Sequence, residues 1–183
     1  MERDGLSENG SSRWSPEEAL RAAAAGAWLA ASSAWRNAPE EATRSPLGLA
    51  LRLHIAVGLG DAVAVETLLR QIPAWLGALP SVTRDSDAAR KLVEAKSELA
   101  AAGLSGRALG RRLLEARLYQ DAVKFWTAMD DSEAQPERAL RLATAFAQLG
   151  QPDAARTWIA ACAGGRYAER AAALDPVCRA VEE

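Results

Sequence analysis

The chain has 183 residues, a length that fits one compact domain or a short array of repeats and needs no disulfide or metal to support a core. Its 42 alanines, against 8 valines, 3 isoleucines and 6 threonines, favour helices and exclude a large sheet. The 22 basic and 24 acidic residues give a formal net charge of -2, so no overall field is present that would hold nucleic acid or an anionic membrane.

Residues 1–13 form a polar leader, and the first predicted helix follows it. The leader is rich in Gly and Ser and has no hydrophobic periodicity, so we expect it to be disordered. Ser15, Pro16 and Glu18 form a capping box that starts a helix. Apolar residues at a spacing of three to four continue this helix to about Trp35.

The next predicted helices form a hairpin. The first of them opens at Pro46 and ends at Gly60, a residue type that commonly terminates helices. Asp61 then caps the following helix, which extends to about Leu76. A turn as short as Gly60-Asp61 makes the two helices antiparallel neighbours.

Residues 80–87 are predicted to be a loop that leads into a longer helix. Asp85 or Asp87 caps this helix, which ends at Ala102. Its charged residues, Lys91 among them, are expected to form the solvated side.

Further helices are predicted over 105–116, 120–129, 136–149, 153–163 and from about residue 166. The loops between them are short, as antiparallel helix pairs require. We therefore predict an all-α fold of eight or nine helices, in a single domain that spans residues 14–183.

Residues 136–169 resemble a tetratricopeptide repeat (TPR) in the spacing of their small and large apolar residues. The matching positions are Leu142-Ala143, Phe146, Leu149-Gly150, Ala155 and Ile159. Two helices of a hairpin cross closely only where side chains are small, and Ala143 and Ala155 meet that requirement. The resemblance implies a right-handed array of antiparallel helix hairpins, a TPR-like superhelix with an open concave groove.

Two further segments follow the same scheme. Residues 103–135 carry it at Leu109-Gly110, Leu113, Tyr119, Ala122 and Trp126. In this unit Arg117 occupies the place of the turn glycine. Residues 46–79 form a degenerate unit with a matching turn glycine, but Arg52 and Val65 occupy the places of a leucine and a small residue. Only one helix fits between the two segments, so we expect an interrupted array.

No pattern typical of an enzyme is found in the chain. His54 is the only histidine, and since spacing assigns it no partner, we expect a packed or groove-lining side chain rather than a base. Cys162 and Cys178 are too widely spaced from His54 to indicate a metal site. We predict a non-enzymatic protein that needs no metal and no cofactor.

The compartment is inferred from the cysteines and from the uncharged residues 22–35. That stretch is shorter than the roughly 20 apolar residues of a spanning helix, and acidic residues precede it where a secretory signal needs basic ones. Cys162 and Cys178 fit two buried thiols in a reducing compartment better than one disulfide. We expect a cytoplasmic protein without membrane insertion, and a periplasmic location after removal of a signal peptide stays open.

The resemblance implies that the first helix of each hairpin lines the groove and contacts a protein or peptide partner. The partner-binding residues it indicates are Arg107, Arg111, Leu114, Leu140, Arg141, Thr144, Gln148 and His54. We expect Arg107 and Arg111 to lead a cationic groove that pairs with acidic residues or a free C-terminus of the partner. In the alternative interpretation, these two arginines lie on a solvated surface and contact Glu115 or Asp121.

The predicted function is protein binding, as an adaptor, scaffold or small chaperone of a bacterial assembly, and a homo-oligomer stays open. The alternative is a nucleic-acid-binding helix-turn-helix over residues 105–123, with Arg107, Arg111, Arg112 and Arg117 facing phosphates. The missing turn glycine and the acidic balance of the chain disfavour that alternative.

Overall fold

The computed structural model describes residues 14–130 and 135–181. Within these ranges the chain forms helices and turns and contains no β-strand, which confirms the prediction of an all-α fold. The leader predicted over residues 1–13 lies outside the described residues.

Thirteen helical segments are present in the described ranges, more than the eight or nine predicted. They are α1 (Pro16–Ala24), α2 (Trp28–Arg36), α3 (Glu40–Arg44), α4 (Pro46–Leu59), α5 (Ala62–Gln71), α6 (Ala74–Gly77), α7 (Pro80–Ala101), α8 (Gly106–Glu115), α9 (Tyr119–Ala128), α10 (Gln135–Gln148), α11 (Pro152–Ala161), α12 (Ala168–Ala172) and α13 (Asp175–Ala180).

The first predicted helix is divided into α1 and α2, which contributes to the higher count. Gly26 adopts a left-handed conformation with φ 72° and turns the chain back, so that α1 and α2 pack against each other. Ser15 caps α1 as predicted, because its hydroxyl accepts a hydrogen bond from the Glu17 amide at 3.3 Å. The helix predicted to extend to about Leu76 is likewise divided, into α5 and α6, and the short helix α3 lies between α2 and α4.

The prediction of a loop over residues 80–87 is wrong, because these residues form the first two turns of α7. Pro80 occupies the first helical position, where its missing N–H costs nothing and its fixed φ favours the helix. Asp85 and Asp87 therefore lie inside a helix of 22 residues and do not cap it. This longer α7 packs against both α4 and α5.

The hairpin predicted from Gly60 and Asp61 is formed by α4 and α5. Gly60 ends α4 in the left-handed conformation, and the Asp61 carboxylate accepts a hydrogen bond from the Ala64 amide at 3.0 Å. Likewise α8 pairs with α9 and α10 pairs with α11. At the α10–α11 hairpin Ala143 and Ala155 are both fully buried.

The turns of the hairpins pack against one another in pairs. A Cβ atom at Gly60 would overlap the carbonyl oxygen of Arg117, and one at Gly150 would overlap the carbonyl oxygen of Gly26. The turn of the α10–α11 hairpin therefore contacts the turn of the α1–α2 hairpin, far apart in sequence. Leu149, beside this contact, belongs to an apolar cluster with residues of α2 and α4. In a simple stack of repeats each unit contacts its neighbours only. The contact between the α10–α11 turn and the α1–α2 turn departs from that pattern. The open right-handed array therefore stays a prediction.

Candidate binding groove

A cavity of about 790 Å³ lies between α4, α7 and the turn that joins α8 to α9, with Trp28 of α2 and Gln148 of α10 at its other sides. We call this cavity the groove. Ligand-binding sites in proteins typically enclose roughly 300–1,000 Å³. The groove therefore has room for several side chains of a ligand, and the neighbouring turns that pack together hold its walls in place.

His54 of α4 binds Asp85 of α7 within the groove. The imidazole Nδ1 lies 3.1 Å from a carboxylate oxygen of Asp85, and the ring meets Trp28 edge-on at 5.2 Å between centroids. The hydrogen bond to Asp85 raises the pKa of His54 above its ordinary value of 6.5, although partial burial acts in the opposite direction. The pair joins α4 to α7 and carries a histidine charge that depends on pH.

One face of α7 supplies two cations to the groove. Arg84, Ala88, Lys91 and Ala95 follow one another at a spacing of three to four residues, so they share this face. Arg84 and Lys91 are exposed, and neither makes a hydrogen bond or an ion pair within the described part of the chain. Ala88, between the two cations, and Ala95, one turn after Lys91, have short side chains and leave space over this face of α7.

The carboxylates of the groove all have cationic partners. Besides the Asp85–His54 pair, Asp87 accepts a hydrogen bond from Arg90 at 2.7 Å, and Glu115 accepts one from Arg112 at 2.7 Å. Neither Arg90 nor Arg112 lines the groove. Among the described residues, the charges of the groove that have no counter-charge are therefore positive.

The turn between α8 and α9 supplies a third cation, Arg117, and an aromatic side chain, Tyr119. Arg117 has φ 61° and an exposed side chain that forms no ion pair in the described ranges. The Tyr119 hydroxyl donates a hydrogen bond to the side-chain oxygen of Gln148 at 3.5 Å. Burial raises the pKa of Tyr119, with Arg117 opposing this shift.

Two of the sequence-predicted binding residues, His54 and Gln148, lie in the groove. Two others, Arg111 and Arg141, bind the carboxylate of Glu137, whose side chain is only 1% exposed. Arg111 donates to both oxygens of Glu137 at 2.6 and 2.8 Å, and Arg141 approaches one of them at 3.2 Å. These hydrogen bonds, that from Arg111 above all, lower the pKa of Glu137 despite its burial.

The remaining predicted residues lie outside the groove. Leu114 and Leu140 are buried in the core, and the Thr144 hydroxyl donates to the Leu140 carbonyl at 2.8 Å. Arg107 lies partly exposed on the first turn of α8. The structure thus does not bring Arg107 and Arg111 to the groove, and their contact with a partner stays a prediction.

The helix-turn-helix alternative assigns four arginines to phosphates, and the structure pairs two of them with carboxylates. Arg111 binds Glu137 and Arg112 binds Glu115, so these guanidiniums already have counter-charges. Arg117 instead faces the groove.

Sequence reasoning missed three cations of the groove, Arg84, Lys91 and Arg117. Lys91 carried a signal, since it shares a helical face with Ala88 and Ala95, but the same pattern is typical of a solvated surface. Arg84 was assigned to a loop. Arg117 carried the clearest signal, because it replaces glycine at a turn where the other hairpins have Gly60 and Gly150.

The described residues contain no group of three His, Cys, Asp or Glu side chains that could hold a metal ion. None of the helices in these ranges is both long and apolar enough to cross a membrane. Cys162 and Cys178 are buried and are not joined in a disulfide, and burial raises the pKa of Cys162.

Comparison of the chain with protein-family models, with curated proteins and with solved structures finds no significant match.

Proposed function

We propose that this chain is a non-enzymatic protein-interaction module that binds a segment of a partner polypeptide in the groove. The observation that carries the proposal is the composition of the groove. It presents exposed cations, to which no described residue offers a counter-charge, beside the aromatic rings of Trp28 and Tyr119. Arginine and aromatic side chains dominate the binding energy of protein interfaces, because they offer large contact areas and directed hydrogen bonds.

The position of the groove supports the same function. Its walls come from α2, α4, α7, α10 and the α8–α9 turn, so residues far apart in sequence converge on one cavity. The packing of Gly60 against Arg117 holds two of these walls together. Because the free groove already has this shape, a partner segment binds without the cost of ordering the site.

Binding is favoured over catalysis by the side chains that surround His54 in the described part of the groove. The lining residues of the groove include no serine, threonine or cysteine that the imidazole could activate. The His54–Asp85 pair joins two helices, and this role needs no substrate.

A TPR-like right-handed array is the architecture that we propose for this module. Support comes from the antiparallel pairs α4–α5, α8–α9 and α10–α11, and from the buried alanines Ala143 and Ala155 where α10 meets α11. Proteins of this construction serve as adaptors, scaffolds and small chaperones, and we place the chain in that class.

Site-specific photo-crosslinking in cells of the source organism tests the proposal. Ala88, at the centre of the groove face of α7, is replaced by p-benzoylphenylalanine, and Val63, exposed outside the groove on α5, receives the same residue as the control. We expect one defined protein to be crosslinked at Ala88 and not at Val63. The same products at both positions, or none at Ala88, would contradict binding in the groove.

A further inference from the structure

Arg117 adopts a backbone conformation that its residue type disfavours. Its φ of 61° lies in the left-handed region, and no other non-glycine residue in the described ranges has a positive φ. The corresponding turns of the neighbouring hairpins use Gly26, Gly60 and Gly150, with φ of 72°, 66° and 68°. Glycine reaches this region without the contact between Cβ and backbone that destabilises an arginine there.

The local packing gives no reason for an arginine side chain in this turn. The contact with Gly60 is made by the backbone of Arg117 and Tyr119, which a glycine at position 117 would also supply. The guanidinium is exposed and forms no hydrogen bond or ion pair in the described part of the chain. Non-glycine residues held in the left-handed region cluster at active sites, ligand clamps and switch regions.

The surroundings of this guanidinium point to a negatively charged ligand. Arg117 shares the groove with Lys91 and Arg84, for which the described ranges likewise provide no counter-charge, whereas the carboxylates Asp85, Asp87 and Glu115 are all paired. A ligand carboxylate would therefore meet cations whose charge the protein has not already neutralised. The rings of Trp28 and Tyr119 offer apolar contact for the rest of a peptide chain.

We propose that Arg117 is a specificity-determining residue of the groove, which binds a carboxylate side chain of an acidic partner segment together with Lys91 and Arg84. The assignment rests on the proposed function, since it names the chemistry of the segment that the groove receives. An arginine fits this task because its planar guanidinium can donate two parallel hydrogen bonds to one carboxylate.

Fluorescence anisotropy with a labelled oligo-glutamate peptide tests the assignment. The whole chain has a net charge of -2, so an acidic peptide binds only if local cations attract it. We expect Arg117→Gly and Arg117→Gln each to weaken binding at least about threefold, and Lys91→Gln to do the same. Lys124→Gln removes the same charge from an exposed lysine of α9 outside the groove, and we expect unchanged affinity.

Thermal unfolding of the same variants separates binding from folding. Arg117→Gly removes the strained conformation, so we expect it to raise the unfolding midpoint by about 2 °C while it weakens binding. Arg117→Gln keeps a side chain at positive φ and leaves the midpoint close to that of the parent. A lower midpoint in Arg117→Gly would show that arginine serves the fold, which would overturn the assignment.

Three other outcomes would also overturn it. These are unchanged oligo-glutamate affinity in Arg117→Gly, tighter binding of oligo-lysine than of oligo-glutamate, and equal binding of an oligothymidylate of matched charge. If a partner is crosslinked at Ala88 and any one of these results is also obtained, the proposed function stands. Only the inference that the bound segment is acidic is then rejected. Absence of crosslinking at Ala88 would instead contradict the proposed function itself.

Discussion

The guanidinium of Arg111 binds both carboxylate oxygens of Glu137, at 2.6 and 2.8 Å, and thereby joins α8 to α10. Glu137 is 1% exposed and Arg111 is 48% exposed, so the pair lies at the edge of the core rather than on the open surface. Arg141, one turn along α10, contacts the same carboxylate. The hydrogen bonds that these arginines donate stabilise the charged form of Glu137 and hold the two helices together.

Replacement of Glu137 by glutamine is expected to destabilise the protein. Breaking a fully buried pair costs about 3–5 kcal/mol, and solvent around the half-exposed Arg111 reduces the expected loss to about 2 kcal/mol. Urea denaturation monitored by circular dichroism measures the change. The control is Glu115→Gln, which breaks an exposed pair with Arg112 and should cost less than about 0.5 kcal/mol. Equal losses in the two variants would contradict a structural role for the buried pair.

The lowered pKa of Glu137 predicts a specific loss of stability in acid. The contribution of the ionised carboxylate is complete above the ordinary value of 4.5 and is lost as the pH falls through the lower value in the folded chain. We expect the stability difference between the parent and Glu137→Gln to shrink as the pH is lowered from about 5 to about 3. A difference that stays constant over this range would exclude the lowered pKa.

The bond between His54 and Asp85 predicts the opposite dependence on pH. Because the pKa of His54 is raised in the folded chain, its stabilising contribution is complete below 6.5 and is lost as the pH rises through the folded value. Titration by NMR measures the pKa directly, and since His54 is the only histidine the imidazole signals need no assignment. We expect Asp85→Asn to lower this pKa. A value at or below 6.5 in the parent protein would contradict the contact.

The packing of the hairpin turns predicts unequal effects of two glycine-to-alanine replacements. Gly60 and Gly103 have φ of 66° and 60°, but an added Cβ overlaps Arg117 at the first and meets no atom within 4 Å at the second. Gly103→Ala should therefore cost only the conformational strain, about 1 kcal/mol. Gly60→Ala adds steric overlap with backbone, so we expect about 2–4 kcal/mol. Denaturant midpoints compare the two, and similar losses would show that the turns do not pack as described.

Local sequence signals predicted elements well where the determining interactions lie within a few residues. Gly60 and Asp61 terminate one helix and cap the next through contacts inside a single turn. Two predictions of the same kind were wrong for an equally local reason. Gly26 lies within a run of alanines that continues the helical pattern, and Pro80 was taken as part of a loop although proline also starts helices.

The groove could not be predicted from sequence because its contacts join residues from separate helices. Asp85 is 31 residues from His54, and nothing in the spacing relates the two before α7 packs on α4. The same holds for Arg111, which lies 26 residues before Glu137. Sequence placed Arg111 on an exposed face, and only the approach of α8 to α10 gives it a buried carboxylate as its partner.

The sequence by itself determined the all-helical class, the antiparallel pair at Gly60 and the small residues of the α10–α11 hairpin. These follow from backbone propensity, capping and side-chain volume, which act over one or two turns of a helix. Only the tertiary structure decided which cations face a common groove with no partner among the described residues. That outcome depends on distances between elements distant in the chain, because a charge is neutralised by whichever carboxylate the packing brings near it.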